Sequence, residues 1–245
     1  MIDGLLLVHA FPLDARMWEA QLGSFSDALP VVAPHLPGFG GTPGAGDVMT
    51  MHSGATRCLE ALDAAGVDRA VVCGLSMGGY VALELWRTAP ERFAGLVLAN
   101  TRAGADTDEG AAGRRALAER LRTEGNDFLA ASPPPLLSEG ASQGLRERVR
   151  EMIAGQPALS IAAAALGMAE RPDSTPELAG INVPTLVITS REDTLIPPEA
   201  TSPMAEQIPD AELAVIEGAG HLSNMESPAD FDELLARQLE RSRSS

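Results

Sequence analysis

Ser76 stands at the centre of Val71-Val72-Cys73-Gly74-Leu75-Ser76-Met77-Gly78-Gly79-Tyr80, an apolar run that passes into Gly-x-Ser-x-Gly. The helix-prone Val81-Ala82-Leu83-Glu84-Leu85-Trp86 follows it. A strand, a sharp turn and a helix would lift the serine hydroxyl clear of a sheet, and the flanking glycines would keep Cβ atoms out of a crowded turn. Taken alone, the same five residues also describe an ordinary glycine-containing loop that caps a helix.

A serine hydroxyl is a weak nucleophile at neutral pH, so catalysis would require a base and a group that orients the base. Of the four histidines, His221 lies in Gly218-Ala219-Gly220-His221-Leu222-Ser223-Asn224-Met225-Glu226, just past the last apolar run. His9 and His35 end the first two apolar runs and could lie near the site, whereas His52 begins a helical stretch and reads as a surface or capping residue. Asp193, in Ser190-Arg191-Glu192-Asp193-Thr194-Leu195-Ile196-Pro197, would hold the imidazole; Glu192 competes with it, and a turn-forming aspartate is the plain alternative. Acyl transfer also needs donors to a developing oxyanion. The backbone N–H groups of Phe11, in His9-Ala10-Phe11-Pro12, and of Met77 are the two candidates.

The elements that must position these residues alternate along the chain. Apolar runs at 4–8, 31–33, 70–73, 94–99, 183–189 and 212–216 predict six strands. Helices are expected near 15–28, 50–65, 199–207 and 230–239, and residues 242–245 read as a frayed tail. This is an α/β class chain with a mostly parallel sheet of about six strands flanked by helices. Between 104 and 176 the strand signal vanishes, and helices are expected at 114–122, 143–153 and 159–169, with Pro133-Pro134-Pro135 breaking the block. The expected organisation is a core of residues 1–103 and 177–245 carrying a helical cap at 104–176.

Composition removes several functions. The 245-residue chain is 45% hydrophobic and 21% charged, ordinary values for a folded domain. Its formal net charge of −16 argues against a nucleic-acid partner. All 18 basic residues are arginine, which excludes lysine Schiff-base chemistry. Cys58 and Cys73 fall in a helix and a strand and suit buried thiols better than a disulfide or metal site. No cofactor and no metal are expected. No apolar stretch reaches the roughly 20 residues of a membrane span, and no basic-then-apolar leader is seen, which gives the expectation of a cytoplasmic protein without a membrane partner. The oligomeric state is not readable.

In its ordered motifs the chain resembles an α/β-hydrolase with an inserted cap. His9-Ala10-Phe11-Pro12 is similar to the family's His-Gly-x-Pro loop, Leu36-Pro37-Gly38-Phe39-Gly40 to its glycine-rich loop, and Gly74 to Gly79 to its nucleophile turn. Asp193 with Ile196-Pro197, and Gly218-Ala219-Gly220-His221, match its acid and histidine loops. Within the family, Asn100-Thr101, Asp193 to Pro197 and His221 to Glu226 look most like 3-oxoadipate enol-lactone hydrolases and their relatives. The resemblance implies hydrolysis of a carboxylic ester or lactone through an acyl-serine. The same pocket could also serve C–C bond hydrolysis, perhydrolysis or a non-hydrolytic step, or act as a ligand-binding sensor.

Three departures bear on this. Ala10 replaces the usual glycine of the oxyanion loop and, because alanine disfavours positive φ, would stiffen or displace the Phe11 amide. Ser190 replaces a frequent glycine. The chain starts only a few residues before its first strand, which implies a smaller and wholly parallel sheet. The expected substrate is a small and largely apolar molecule, since the 104–176 block is rich in Ala, Leu and Met with Phe128 its one aromatic. Arg102 is read as a surface arginine in preference to a contact for a substrate carboxylate.

Overall fold

Six apolar runs pair into one sheet. In the computed structural model, which describes residues 3–244, they are β1 (Gly4–Val8), β2 (Val31–Val32), β3 (Ala70–Leu75), β4 (Phe93–Ala99), β5 (Thr185–Ser190) and β6 (Ala211–Ile216). All pairings are parallel, in the order β2-β1-β3-β4-β5-β6. β1, β3, β4 and β5 are buried along their whole length, as expected of strands with helices on both faces.

The helices are α1 (Glu19–Phe25), α2 (Met51–Ala64), α3 (Met77–Thr88), α4 (Asp108–Glu124), α5 (Asp127–Ala131), α6 (Gln143–Ala154), α7 (Ala158–Ala169), α8 (Pro198–Thr201), α9 (Pro203–Gln207), α10 (Ser223–Glu226) and α11 (Pro228–Arg243). α4 to α7 all fall between β4 and β5. Among the described residues no single helix is long and apolar enough to cross a membrane.

Several boundaries differ from the sequence reading, each for a local reason. The expected helix at 15–28 is a 3-10 turn at Ala15–Trp18 followed by the short α1, because the buried Asp14 carboxylate accepts from Arg16 N and fixes a tighter start. The expected helix at 199–207 splits into α8 and α9 at Pro203, which cannot donate to the preceding turn. α4 begins six residues before the expected 114, capped by the Thr107 hydroxyl, which accepts from Gly110 N at 3.1 Å. Ser242 is not frayed: it lies buried in α11, its hydroxyl accepting from Gln238 Nε2 at 3.3 Å, while Ser245 lies outside the described residues.

Strand order dictates where a site can form. From β1 the chain moves to one side to make β2, then crosses back to β3 on the other side, so the direction of winding changes between β1 and β3. Loops leaving the carboxyl ends of neighbouring strands diverge there and leave a crevice. Phe11 follows β1 and Ser76 follows β3. Asn100, Asp193 and His221 follow β4, β5 and β6 on the same edge, because all the strands are parallel.

The helical segment between β4 and β5 is tied down over that edge. Gln156 Nε2 donates to Asp14 Oδ2 at 2.7 Å, and Gln156 Oε1 accepts from Gly40 N at 3.0 Å, so one side chain holds two separate core loops. Leu136 O accepts from Leu222 N at 2.9 Å. The Glu226 carboxylate accepts from Ser138 Oγ at 2.6 Å and from Gly220 N at 2.8 Å, joining the segment to the loop that carries His221.

Candidate active site

Ser76 has φ 57° and ψ −117°, a conformation that costs a non-glycine residue on the order of 1–3 kcal/mol and persists only where neighbours fix it. They do so from β4. Ser76 N donates to Ala99 O at 2.9 Å, and the Thr101 hydroxyl donates to Ser76 O at 2.8 Å. The glycines on either side are required by close backbone approach rather than by their own dihedrals. A Cβ on Gly74 would stand 2.2 Å from Gly78 O, and one on Gly78 would stand 2.0 Å from Val8 O. No larger residue fits at either position without moving backbone, the start of α3 in the first case and the end of β1 in the second.

Asp193 and His221 meet in the interior. His221 Nδ1 lies 2.8 Å from Asp193 Oδ2, and both side chains are fully buried. A carboxylate accepts only, so Nδ1 carries the hydrogen and Nε2 is left as an acceptor. His221 Nε2 is buried without a partner among the described residues. A free imidazole lone pair of this kind can take a proton from a hydroxyl. No hydrogen bond joins it to Ser76 Oγ among the described residues, and bonds of this kind commonly tighten only with substrate.

The aspartate is held from four directions. Its Oδ1 accepts from Leu195 N at 3.0 Å and Ile196 N at 2.9 Å, and its Oδ2 accepts from Asn100 Nδ2 at 2.9 Å as well as from His221. Bonds to an ionised acceptor contribute about 1.5–3 kcal/mol apiece, and here they also fix the carboxylate plane. The neighbouring Glu192 is exposed and makes no such contact.

Asn100 completes the arrangement, and the sequence reading gave it no role of its own. It follows β4 with φ 45°, donates through Nδ2 to Ser190 Oγ at 3.0 Å as well as to Asp193, and accepts at Oδ1 from Ser223 Oγ at 2.7 Å. One amide thus connects the acid loop to the histidine loop. The available signal was an asparagine placed directly after a buried strand, where a residue tolerant of positive φ is favoured. Ser190, standing where glycine is frequent in the family, supplies one of its acceptors.

The amides proposed for an oxyanion lie at the crevice. Neither Phe11 N nor Met77 N donates to another protein group among the described residues, and Met77 N opens α3, where the helix leaves N–H groups free. Ala10 does not adopt positive φ, so the strain expected from its methyl group is absent. Its amide donates to Met17 Sδ at 3.1 Å, and the Phe11–Pro12 peptide is cis.

The remaining histidines are placed elsewhere. His9 Nε2 accepts from Leu36 N at 3.0 Å while Nδ1 faces Ala10 O at 3.1 Å, so the neutral Nδ1–H ring satisfies both contacts. Burial lowers its pKa to about 4. His35 Nδ1 accepts from Ala15 N, and exposed His52 pairs with Glu84. Cys58 and Cys73 are free and buried, and burial raises the Cys58 thiol to about 12. Among the described residues no group of three or more His, Cys, Asp and Glu side chains is placed to hold a metal ion.

Over Ser76 lies a cavity of about 230 Å³. Phe11 and Ile196 line it from the core, and Leu117, Leu136 and Met168 from the helical segment. Arg102 and Arg114 line it too, which places Arg102 at the candidate site and not on the outer surface. Both pair with Asp106, whose carboxyl is driven upward by burial but more strongly downward by Arg171 and Arg114, leaving it at about 2.

Comparison with known proteins gives the family and its relatives. The alpha/beta hydrolase family matches residues 5–234. A pimeloyl-[acyl-carrier protein] methyl ester esterase of Aromatoleum aromaticum is 32% identical, covering 94% of this chain and 96% of its own. The 3-oxoadipate enol-lactonase 1 of Acinetobacter baylyi is 29% identical over 95% of this chain and 86% of its own. Among solved structures, a thermophilic esterase from Thermogutta terrifontis with malate bound superimposes with a TM-score of 0.94 at 41% identity, covering 98% of this chain and 90% of that one.

Proposed function

The chain belongs to the alpha/beta hydrolase family, and from that premise we propose that it hydrolyses carboxylic esters or lactones through an acyl-Ser76 intermediate. The observation that carries this reading is His221, oriented by Asp193 at 2.8 Å and left with a buried, unpartnered Nε2, at the same sheet edge as a serine held in a strained turn. Similar proteins named as a methyl ester esterase, an enol-lactonase and an esterase support the ester and lactone class.

In this mechanism the substrate carbonyl carbon meets Ser76 Oγ. Nε2 of His221 takes the hydroxyl proton as the Oγ–C bond forms, and Asp193 stabilises the imidazolium. The electron pair displaced onto the carbonyl oxygen is met by the N–H groups of Phe11 and Met77. Collapse of the adduct breaks the bond to the leaving oxygen, which takes the proton from His221. Water then repeats the sequence on the acyl-serine, giving up a proton to His221 and releasing the acid and the serine hydroxyl.

In the same reading residues 104–176 act as a cap on a core of residues 1–103 and 177–245, since Leu117, Leu136 and Met168 close the cavity opposite Ser76. Two measurements test the proposal: covalent labelling of Ser76 by a fluorophosphonate probe, and steady-state turnover of p-nitrophenyl esters and short lactones. Labelling with turnover and a transient burst is expected. A protein that neither labels nor turns over any of these substrates sinks the reading, and tight ligand binding without turnover would point to a sensor.

A further inference from the structure

One wall of the cavity over Ser76 is charged, in a chain whose formal net charge is −16. Three guanidinium groups, those of Arg102, Arg114 and Arg171, converge on the single buried carboxylate of Asp106, which leaves a local surplus of positive charge. Arg171 is turned away from the cavity: it donates to Met168 O at 2.8 Å and Gly104 O at 2.9 Å, its guanidinium lies 4.0 Å over the Tyr80 ring, its side chain is 3% exposed, and its Nε, like that of Arg102, is buried with no partner among the described residues. Arg102 and Arg114 face the cavity. Their side chains are 35% and 24% exposed, they line the same cavity as Ser76, and Arg102 Nε is buried with no partner. Arg114 bonds Asp106 through Nε and reaches only a sulfur, Met168 Sδ at 3.4 Å, through NH1.

Cations at the wall of an otherwise apolar cavity are costly unless an anion completes them. Among the described residues no carboxylate lines the cavity. Leu117, Leu136 and Met168 supply apolar surface beside the arginines, which suits a hydrocarbon spacer. Building on the ester and lactone reading, we infer that Arg102 and Arg114 form an anion subsite and that the substrate carries a free carboxylate, separated from its scissile carbonyl by a short apolar chain. Two guanidinium edges match the two oxygens of a carboxylate, and Asp106 holds both forks in place for it.

Two p-nitrophenyl esters of equal acyl length test this, p-nitrophenyl pentanoate and mono-p-nitrophenyl glutarate, together with calorimetric titration of glutarate into Ser76→Ala protein. The anionic ester is expected to be favoured at least 10-fold in kcat/KM. Arg102→Gln and Arg114→Gln should each cut that preference by about 10- to 100-fold, the range of one charge-assisted contact. Glutarate binding should weaken likewise when Arg102→Gln is added to Ser76→Ala. Fluorophosphonate labelling reports whether each variant keeps a folded site, and Arg102→Lys, which keeps the charge and loses the fork, serves in place of any variant that does not fold.

Equal or better turnover of the neutral ester, with no glutarate bound, overturns the subsite while leaving the hydrolase reading intact. Glutarate binding that is lost in the arginine variants, in a protein that turns over neither ester, does the reverse. Binding of inorganic phosphate in preference to glutarate overturns the assignment to a carboxylate.

Discussion

Two walls of one cavity are built on different plans. On the core side, Ser76, Asp193 and His221 sit in loops after β3, β5 and β6, and hydrogen bonds hold each loop, from within the loop for the last two and from Thr101 for the first. On the opposite side, Arg102, Asp106, Arg114 and Arg171 come from both ends of a long segment and meet at one carboxylate. In the proposed mechanism the first wall carries the groups that change bonds, and in the inferred subsite the second carries the groups that choose what is held there.

That difference explains what the sequence makes legible. A glycine-flanked serine after a β-branched run, an aspartate after the fifth run and a histidine after the sixth are all short-range signals, and the parallel sheet brings them to one edge. The six strands were readable for the same reason, since each is a short apolar run. The arginine cluster has no such signature. Arg102 lies four residues before Asp106 while Arg171 is far from both in the chain, and nothing local distinguishes either arginine from a solvated one; the packing of α4 on α7 brings Arg171 to the carboxylate. Asn100 lies between these cases, readable as a strand-end asparagine but not as the link between Ser190, Asp193 and Ser223.

The sharpest way to break the comparison is at the chemical wall. Ser76→Ala should lower kcat on a p-nitrophenyl ester by about 10⁴ to 10⁶ and leave the melting temperature little changed or raised, because it removes only the hydroxyl from a strained residue. Asp193→Asn comes next. An amide cannot hold the imidazole in the Nδ1–H form, and kcat should fall by about 10⁴ with KM nearly constant. A loss confined to KM would mean that Asp193 shapes the pocket and has no part in orienting His221.

At the other wall the large effect should appear in stability. Asp106→Asn leaves fully buried Arg171 without its counter-charge, and the loss of a buried partner costs on the order of 3–5 kcal/mol, readable as a shift in the urea midpoint. The wild-type carboxyl is held below its unfolded value of 3.8, at about 2, by arginines that outweigh its burial. Its stabilisation is therefore complete above about pH 4 and is lost as pH falls toward 2. Asp106→Asn should flatten that acid limb. A variant as stable as the wild type would show that the arginines do not depend on Asp106 for their placement.

His9 offers the smallest test, and it separates fold from chemistry on the core side. The ring must stay neutral, because Nε2 accepts from Leu36 N and a proton there would face another donor. Burial accordingly lowers its pKa from 6.5 to about 4. A base with a depressed folded value takes up its proton on unfolding, so its contribution is complete above about pH 6.5 and is lost as pH falls through that window to 4. The loss is on the order of 3 kcal/mol, measurable as a fall in the urea-unfolding free energy between those pH values. His9→Asn should be less stable at neutral pH and lose that part of the slope. If His9→Asn keeps the full stability slope, other groups carry it, and the loop between β1 and α1 does not depend on a neutral ring at its base.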